Sequence, residues 1–336
     1  MQPFIQNMWL EIILIIVCFA VVLWGADRFT DGACGLARRL KVSELVIGLT
    51  VVSLGTSLPE FIVSLMSILR GSGDMSVGNV MGSNIFNILV ITGASAIMRS
   101  INVEDSILYR HFPICFLASL LLFGFAYSGG MIARWEGFLL AVLFCIYLYY
   151  NYRVAMKDRR GTQAEPSQPS LVGEAKPDGD SQAAEMSLWK SLALIVVGMV
   201  ALVVGGRVLV DNAASLAREI GFSESVIGMT ILAGGTSLPE LATSVIAARK
   251  GSFGLALGNV IGSNIFNIAF VIGFCSSVVP MVVQQITLID WAVLVGSVAL
   301  TWLVAATGRK LGKLEGILLV LCDLTYLTWL IFGGKM

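Results

Sequence analysis

The chain has 336 residues, of which 57% are hydrophobic and 13% are charged, whereas about 25% of the residues of an average soluble domain are charged. This composition excludes an ordinary soluble protein and indicates a polytopic membrane protein. The formal net charge of zero gives no sign of nucleic-acid binding, and the single histidine, His111, excludes a histidine-rich metal site.

Ten apolar runs of about 20 residues, each long enough to cross a bilayer as an α-helix, follow one another along the chain. Their approximate bounds are 8–26, 43–69, 75–98, 111–128, 135–152, 189–210, 224–248, 254–279, 287–306 and 314–332. No basic region or small-residue cleavage site accompanies the first run, so we expect a retained helix and not a signal peptide.

A polar segment at 153–188 separates the first five runs from the last five. It contains Pro166, Pro169, Pro177 and many charged residues, so it cannot bury a core, and we expect a disordered linker that acts as a passive tether. The chain is therefore divided into a first five-helix repeat at 1–152, this linker, and a second five-helix repeat at 189–336.

Basic residues predict the orientation of the helices. Five of the 22 lysines and arginines lie on the face away from the linker, namely Arg70, Arg134, Arg207, Arg218 and Lys335, which leaves 17 on the linker side. The positive-inside rule then places the linker in the cytoplasm and both termini outside. Because each half has an odd number of helices, the second half is inverted relative to the first, as in secondary transporters with a site at mid-membrane. The predicted fold is thus all-α, with ten transmembrane helices as two inverted five-helix repeats.

Cysteines give no indication of a metal site, because they are scattered, mostly within apolar runs, and none belongs to a C-x-x-C pair. We expect small buried hydrophobic residues at these positions instead of zinc ligands or disulfides. They are Cys18, Cys34, Cys115, Cys145, Cys275 and Cys322.

One stretch of the chain occurs twice at a constant spacing of 180 residues, and roughly half of the positions in 43–93 are identical to their partners. Gly55–Glu60 and Gly235–Glu240 both read G-T-S-L-P-E. Gly78–Asn87 reads G-N-V-M-G-S-N-I-F-N, and Gly258–Asn267 differs from it by one residue. The second and third helices of each repeat therefore carry the same polar groups inside apolar runs.

A proline interrupts the second helix of each repeat. Pro59 is expected to free the Gly55 carbonyl and to move Leu58 away from helical geometry, and Pro239 is expected to do the same to Gly235 and Leu238. Because lipid cannot satisfy free backbone groups, each break must face protein or a polar cavity.

Each break is followed by a glutamate, Glu60 or Glu240, although a central charge costs roughly 2.5–3.5 kcal/mol on insertion scales. The loosened carbonyls and the hydroxyls near each break add only oxygen ligands. Those hydroxyls belong to Thr56, Ser57, Thr236 and Ser237, and Thr56 and Glu60 share one face if that turn stays helical. Calcium takes about 6–8 oxygen ligands, so this set suits calcium or sodium and not zinc or copper.

A polar stripe follows in the third helix of each repeat, at Asn79, Ser83 and Asn87 and again at Asn259, Ser263 and Asn267. These side chains either form hydrogen bonds between helices or contact an ion. We favour hydrogen bonding between helices for Asn79, Asn84, Asn259 and Asn264.

Other polar residues in apolar surroundings give weaker indications. Asp31 and Asp211 match across the repeat near the predicted ends of helices 1 and 6, where we expect capping or packing, with an ion vestibule as the alternative. His111 is expected to begin helix 4 at the cytoplasmic surface. Asp290 and Asp323 receive no role from the sequence.

The doubled G-T-S-L-P-E and G-S-N-I-F-N motifs resemble the alpha repeats of the calcium/cation antiporter superfamily, in particular the prokaryotic sodium/calcium exchangers. The resemblance covers all ten helices, and the linker is too short for a calcium-sensing domain. It implies that Glu60 and Glu240 are shared calcium ligands that also bind sodium, and that Thr56 and Thr236 offer backbone carbonyls to calcium.

The resemblance also implies a set of sodium ligands. The hydroxyls are those of Ser57, Ser83, Ser237 and Ser263, and the carbonyls are those of Ser53 and Ala233. Asn87 and Asn267 would complete the centre of the site. Some relatives, including the potassium-dependent branch, have aspartate at the position of Asn267, which argues against potassium co-transport here. The proton/calcium branch carries a different glutamate motif, which favours sodium coupling.

These expectations describe a sodium/calcium antiporter of a bacterial or archaeal plasma membrane that works by alternating access. Its partners would be calcium, sodium and the lipid bilayer, with no nucleic acid, no obligatory protein partner and no resident cofactor. A proton-coupled calcium or divalent-cation antiporter, a cation channel and a non-transporting scaffold are the alternatives. ATP-driven pumping and hydrolysis have no supporting motif, so we do not expect an enzyme.

Overall fold

Nearly every element of the computed structural model, which describes residues 2–164, 186–221 and 233–332, is helical. The α-helices are α1 Gln2–Leu40, α2 Glu44–Ile47, α3 Ser53–Thr56, α4 Leu58–Leu69, α5 Gly73–Phe86, α6 Thr92–Met98, α7 Phe112–Gly129, α8 Arg134–Ala164, α9 Leu188–Glu219, α10 Ala233–Thr236, α11 Leu238–Lys250, α12 Phe253–Ile265, α13 Gly273–Val278, α14 Leu288–Gly308 and α15 Lys313–Phe332. Four π-helical segments, Gly48–Val52, Asn87–Ile91, Ile107–His111 and Phe266–Ile272, continue neighbouring α-helices.

The predicted all-α polytopic membrane fold is confirmed. Among the described residues, eight helices are long and apolar enough to cross a membrane, and the bent pair Glu44–Thr56 and Leu58–Leu69 can make a ninth span. The tenth predicted span, 224–248, begins in residues outside the described ranges, and its later part is α11. Helices are favoured because each satisfies its own backbone hydrogen bonds in lipid.

The first helix of each repeat is longer than its apolar run, since α1 has 39 residues and α9 has 32. The charged residues that suggested an end near position 26 lie inside α1. No proline interrupts them, and α1 ends only at Lys41, which has a left-handed backbone with φ 56°. Both helices therefore exceed the roughly 20 residues that span a bilayer.

Helix α8 corrects the predicted start of the linker, because it continues to Ala164 instead of ending near 152. Its last part is rich in residues with high helix propensity, such as Met156, Lys157 and Ala164, so polarity alone does not end the helix there. The predicted linker residues 165–185 lie outside the described part of the chain.

Both proline breaks occur, but one residue earlier than expected. Ser57 leaves helical geometry at φ −87° and ψ 10°, and Ser237 does so at φ −87° and ψ 8°. Leu58 and Leu238 instead begin the following helices, because a proline is tolerated in the first turn, where its missing N–H has no partner to lose. The axes of Glu44–Thr56 and Leu58–Leu69 differ by 46°.

The third helix of each repeat lies at the centre of the molecule. The most apolar window of Gly73–Met98 is 72% buried, and that of Phe253–Val278 is 94% buried, while the other spans are buried to 39% or less. The two helices meet at Asn84 and Asn264, where each Nδ2 donates to the other residue's carbonyl at 3.2 and 3.1 Å. This contact confirms the predicted interhelical role of these two asparagines.

Two antiparallel strand pairs, which the sequence did not predict, join the repeats. Ile101–Asn102 pairs with Lys310–Leu311, and Met131–Ile132 pairs with Met281–Val282. The first pair connects the 3–4 and 9–10 loops and the second connects the 4–5 and 8–9 loops. Each pair thus joins two loops that the basic residues predict on the same face.

Helices α1 and α9 pack closely because glycines face each other along their contact. A Cβ on Gly198 would lie 2.6 Å from the Phe29 nitrogen, and one on Gly32 would lie 2.8 Å from the Ile195 nitrogen. The two helices therefore form one pair whose backbones are in direct contact.

Candidate cation site

The two glutamates of the repeated motif are fully buried, and each is held by the opposite repeat. Ser237 Oγ donates to Glu60 Oε1 at 3.0 Å, and Ser57 Oγ donates to Glu240 Oε1 at 2.7 Å. The exposed fraction of all four residues is 0%. The sequence prediction that the two motifs lie together in the interior is thus met in the structure.

Local backbone geometry explains this reciprocal arrangement. The break leaves Ser57 outside both flanking helices, so its side chain reaches across to the other repeat while Glu60 lies in the first turn of α4. Glu240 lies in the first turn of α11 after the same break at Ser237. The N-terminal amides of a helix favour negative charge nearby, which offsets part of the cost of burying each carboxylate.

The structure leaves several buried oxygens of the site without a hydrogen-bond donor. These are Glu60 Oε2, Glu240 Oε2, Ser83 Oγ, Ser263 Oγ, Asn87 Oδ1 and Asn267 Oδ1. Ser263 lies beside the Glu240 carboxylate, and Glu240 is close enough to Glu60 for the two charges to interact. Buried polar atoms are normally paired, so this concentration of free oxygens points to a ligand that accepts electron pairs.

Both central asparagines lie where an α-helix widens into a π-helix. Asn87 begins the segment Asn87–Ile91, and Asn267 lies in Phe266–Ile272. Such widened turns occur frequently at functional sites. The two residues differ, since Asn267 Nδ2 donates to Asn84 Oδ1 at 3.1 Å whereas both polar atoms of Asn87 are unpaired.

Each threonine of the motif lies beside the glutamate of the opposite repeat, Thr56 beside Glu240 and Thr236 beside Glu60. The Thr56 hydroxyl is directed toward the Val52 carbonyl and toward Asn259 Oδ1, both at 3.1 Å, so the hydroxyl is used within the protein. The 46° bend also separates Thr56 from the helix of Glu60, so the two do not share one helical face. The half-buried Thr236 lies with its hydroxyl beside Glu60.

The remaining predicted ligands are the two carbonyl donors. Ser53 is buried and its hydroxyl donates to the Thr50 carbonyl at 3.2 Å. Ala233 begins α10 and is the first described residue after the gap at 222–232. The backbone of both residues precedes a break by one turn, as the sequence predicted.

The oxygens of this site suit a hard cation. Two carboxylates supply charge, and hydroxyl and amide oxygens supply further neutral ligands, which is the ligand chemistry of calcium and sodium. In the described ranges, no three residues among His, Cys, Asp and Glu form a group able to hold a metal ion. A cation here would therefore depend on the serines and asparagines as well as on the acids.

The weaker sequence candidates have partners other than the two glutamates. Asp31 is inside α1 and pairs with Lys250, and Asp211 is inside α9 and pairs with Arg207, so neither caps a helix. His111 is buried beside Tyr147, with Tyr147 Oη and His111 Nδ1 at 3.3 Å, instead of lying at a surface.

The acids of the last two helices differ from each other. Asp290 caps α14 together with Thr287 and accepts a hydrogen bond from Tyr326 at 2.7 Å. Asp323 is buried on α15, and nothing in the structure explains it.

The predicted hydrogen bonding between helices is confirmed for Asn79, although the sequence did not indicate its partners. Asn79 Nδ2 donates to the Glu60 carbonyl at 3.3 Å and to Ser64 Oγ at 3.0 Å. The spacing of Ser64 one turn after Glu60, repeated at Ser244 after Glu240, was visible but has no known signature by itself. The π-helical turns left no signal in the sequence pattern.

Comparison with known proteins finds similarity to sodium/calcium exchangers and related antiporters. A family profile described as "Sodium/calcium exchanger protein" matches residues 10–153 and 190–332. The chain is 35% identical over 332 residues to the "Putative antiporter CaxA" of Alkalimonas amylolytica, covering 96% of this chain and 98% of the relative. It is 29% identical over 345 residues to the "Sodium/calcium exchanger MaX1" of Methanosarcina acetivorans, covering 95% and 98%.

Solved structures agree with the sequence comparison. A structure of the sodium-calcium exchanger NCX_Mj superimposes with a TM-score of 0.78 at 30% sequence identity, covering 96% of this chain and 98% of NCX_Mj. The alignment therefore includes both repeats and both broken helices.

Proposed function

This chain belongs to the sodium/calcium exchanger family, a family of multi-pass membrane transporters and not of enzymes, and we propose that it exchanges sodium for calcium. The observation that carries the proposal is the reciprocal bonding of Ser57 to Glu240 and of Ser237 to Glu60, which leaves the second carboxylate oxygen, Oε2, of each glutamate unpaired. Two carboxylates from opposite repeats then form one cage that balances one calcium ion or sodium ions in its place.

Coupling follows from the cost of an empty cage. Two unpaired buried carboxylates carry a penalty of several kcal/mol, so an unloaded protein crosses slowly between its two accessible states. Calcium and sodium compete for the same oxygens. One ion must therefore dissociate on one side of the membrane before the other can bind and be transported in the opposite direction. In the remaining ligand set, Thr56, Thr236, Ser53 and Ala233 would supply carbonyls, and Ser83, Ser263, Asn87 and Asn267 would supply side-chain oxygens.

Orientation and location belong to the same proposal. Ten helices in two inverted repeats would lie in a bacterial or archaeal plasma membrane, with both termini outside and the linker in the cytoplasm. The strand pairs support this arrangement, because each joins two loops predicted on one face. Helices α1 and α9, which contact each other by their backbones, would slide together past the other eight.

Transport by purified protein in lipid vesicles tests the proposal. We expect calcium uptake to follow an outward sodium gradient, with little response to an imposed pH gradient and none to potassium. Glu60→Gln or Glu240→Gln should abolish this uptake, because a neutral amide cannot balance a buried divalent ion.

The matched control is Glu136→Gln, which changes a buried acid outside the cage that accepts a hydrogen bond from the Ala133 nitrogen at 2.8 Å. This variant should transport at the wild-type rate, since glutamine keeps an acceptor oxygen. Uptake driven by a pH gradient without sodium would instead establish a proton-coupled calcium antiporter. Wild-type rates in either cage variant would contradict the shared cage.

A further inference from the structure

Two asparagines at equivalent positions of the repeats lie behind the glutamates. Asn259 is fully buried, and its Nδ2 donates to Ser244 Oγ at 2.9 Å and to the Glu240 carbonyl at 3.5 Å. Asn79 makes the same two contacts in the first repeat, to Ser64 and to the Glu60 carbonyl. Each amide thus fixes the first turn of the helix that carries a glutamate.

Asn259 also reaches the other repeat. Its Oδ1 accepts a hydrogen bond from Thr56 Oγ1 at 3.1 Å, immediately before the break at Ser57. The Thr56 hydroxyl has one proton and divides it between this oxygen and the Val52 carbonyl at the same distance. One buried amide therefore joins the break of the first repeat to the glutamate of the second.

We propose that Asn259 is a positioning residue that sets the distance between the Thr56 backbone and the Glu240 carboxylate, so that both can contact one calcium ion. This inference rests on the proposed exchange function and assigns no ion contact to Asn259 itself. In this role the Thr56 hydroxyl holds Asn259 and also lies beside the Glu240 carboxylate, while the Thr56 carbonyl is the proposed calcium ligand.

A double-mutant cycle tests the proposal. Thr56→Val removes the hydroxyl but keeps the carbonyl, and Asn259→Leu removes the amide. Each single variant should raise the half-saturating calcium concentration about tenfold, as expected for one buried hydrogen bond. The double variant should be no worse than the more severe single variant, because both changes break the same contact.

Controls separate this role from general folding defects. Asn151→Leu alters a buried asparagine on α8 that bonds to Tyr147 of the same helix, and it should leave the half-saturating calcium concentration unchanged. Asn259→Asp, which keeps the acceptor for Thr56, should recover part of the affinity lost in Asn259→Leu. Additive effects in the double variant, or unchanged calcium affinity in Asn259→Leu, would overturn the proposal. Absence of calcium transport in the wild-type protein would instead refute the proposed function.

Lys250, at the end of α11, forms ion pairs with α1. Lys250 Nζ lies 2.8 Å from Asp27 Oδ1 and 2.6 Å from Asp31 Oδ1, and it donates to the Asp27 carbonyl at 3.1 Å. This lysine therefore attaches the C-terminal half of α1 to the broken helix of the second repeat.

The equivalent residues of the other repeat are arranged differently. Arg70 corresponds to Lys250 and Asp211 to Asp31, but Asp27 corresponds to Arg207, which is basic. Asp211 pairs instead with Arg207 on its own helix at 3.8 Å, and both side chains are well exposed at 65% and 83%. Within the described ranges, Arg70 and Asp211 form no ion pair with each other, so a contact like that of Lys250 with Asp31 is found at one end of the helix pair only.

We infer that the Lys250–Asp31 ion pair alternates during transport with an Arg70–Asp211 pair, which would replace the Arg207–Asp211 pair of the present structure; this inference rests on the proposed exchange function. In the proposed inverted topology they lie at opposite faces, so sliding of α1 and α9 that breaks Lys250–Asp31 would bring Asp211 toward Arg70. The structure then represents the state closed at the Lys250 end. Breaking the Lys250–Asp31 pair would favour the state that is open at the Lys250 end. Preventing the Arg70–Asp211 pair would favour the state that is closed there.

Apparent calcium affinity measured from one side of oriented vesicles tests the inference. Lys250→Gln and Arg70→Gln should shift the external half-saturating calcium concentration in opposite directions, each about threefold, as expected for partly exposed ion pairs. With the linker in the cytoplasm, Lys250→Gln should raise the external half-saturating calcium concentration, and Arg70→Gln should lower it. Arg309→Gln, which breaks the Arg309–Asp105 pair at 3.0 Å outside the helix pair, is the control and should leave it unchanged. Shifts in the same direction, or no shift, would overturn the inference.

Discussion

At the scale of single residues, the serines of the two breaks determine how the halves of the site meet. Ser57 donates to Glu240 and Ser237 donates to Glu60, so each glutamate accepts a hydrogen bond from a serine of the opposite repeat. Each hydrogen bond to a charged group is worth about 1.5–3 kcal/mol. A change at either break therefore affects the carboxylate of the opposite half.

Ser57→Ala and Ser237→Ala test this reciprocity. Each variant should raise the half-saturating calcium concentration about tenfold or more, because the opposite glutamate loses its donor. The measurement is sodium-driven calcium uptake over a range of calcium concentrations. Ser119→Ala removes a buried hydroxyl that bonds to the Cys115 carbonyl of its own helix and should have no effect on affinity. Equal affinities in wild type and both variants would show that the serines play no part.

At the scale of helices, close approach of backbones is the constraint on α1 and α9. Gly198 allows no side chain, because a Cβ there would lie 2.6 Å from the Phe29 nitrogen and 2.7 Å from the Gly25 carbonyl. Gly206 on the same helix has no atom within 4 Å of such a Cβ. The two glycines thus differ in packing although they lie two turns apart.

Gly198→Ala should push α1 and α9 apart, lower the midpoint of thermal unfolding in detergent and slow transport. The same substitution at Gly206 should be neutral or slightly stabilising, because alanine is favoured over glycine in a helix by about 1 kcal/mol. Thermal unfolding of both variants, followed by uptake assays, gives the comparison. Equal midpoints for the two variants would mean that the helices are not held by this contact.

The sequence predicts much of this architecture at the helix scale. Apolar length located the spans, and proline with the following glutamate located both breaks and the buried acids. The exact residue that leaves the helix, Ser57, could not be read because proline is compatible with the first turn of the next helix. The full length of α1 could not be predicted either, because Asp27 and Asp31 resemble residues at a helix end. Only tertiary packing brings Lys250 beside them.

The whole molecule is organised by the repeat. The central helices meet at Asn84 and Asn264, and the two strand pairs join the repeats at the loops. In the proposed mechanism, these contacts would hold the other helices together while α1 and α9 move. None of the strand pairs was predictable, because two-residue strands carry no periodicity.

With no cation bound between Glu60 and Glu240, the protein should rarely change between its two accessible states. Vesicles loaded with calcium should release it quickly when sodium or calcium is present outside, and slowly into a medium that lacks both, because two bare buried carboxylates oppose the return step. Tracer efflux under the three conditions measures the effect. Equally fast efflux into ion-free medium would indicate a channel or an uncoupled carrier.

Calcium binding to the purified protein tests the central claim most directly, namely that Glu60 and Glu240 share one cation. Isothermal titration in detergent should give one calcium per chain, displaced competitively by sodium. Either single variant, Glu60→Gln or Glu240→Gln, should lose that one site completely while remaining folded. Two calcium ions per chain, or one variant that keeps a site while the other loses it, would contradict a cage built jointly from both repeats.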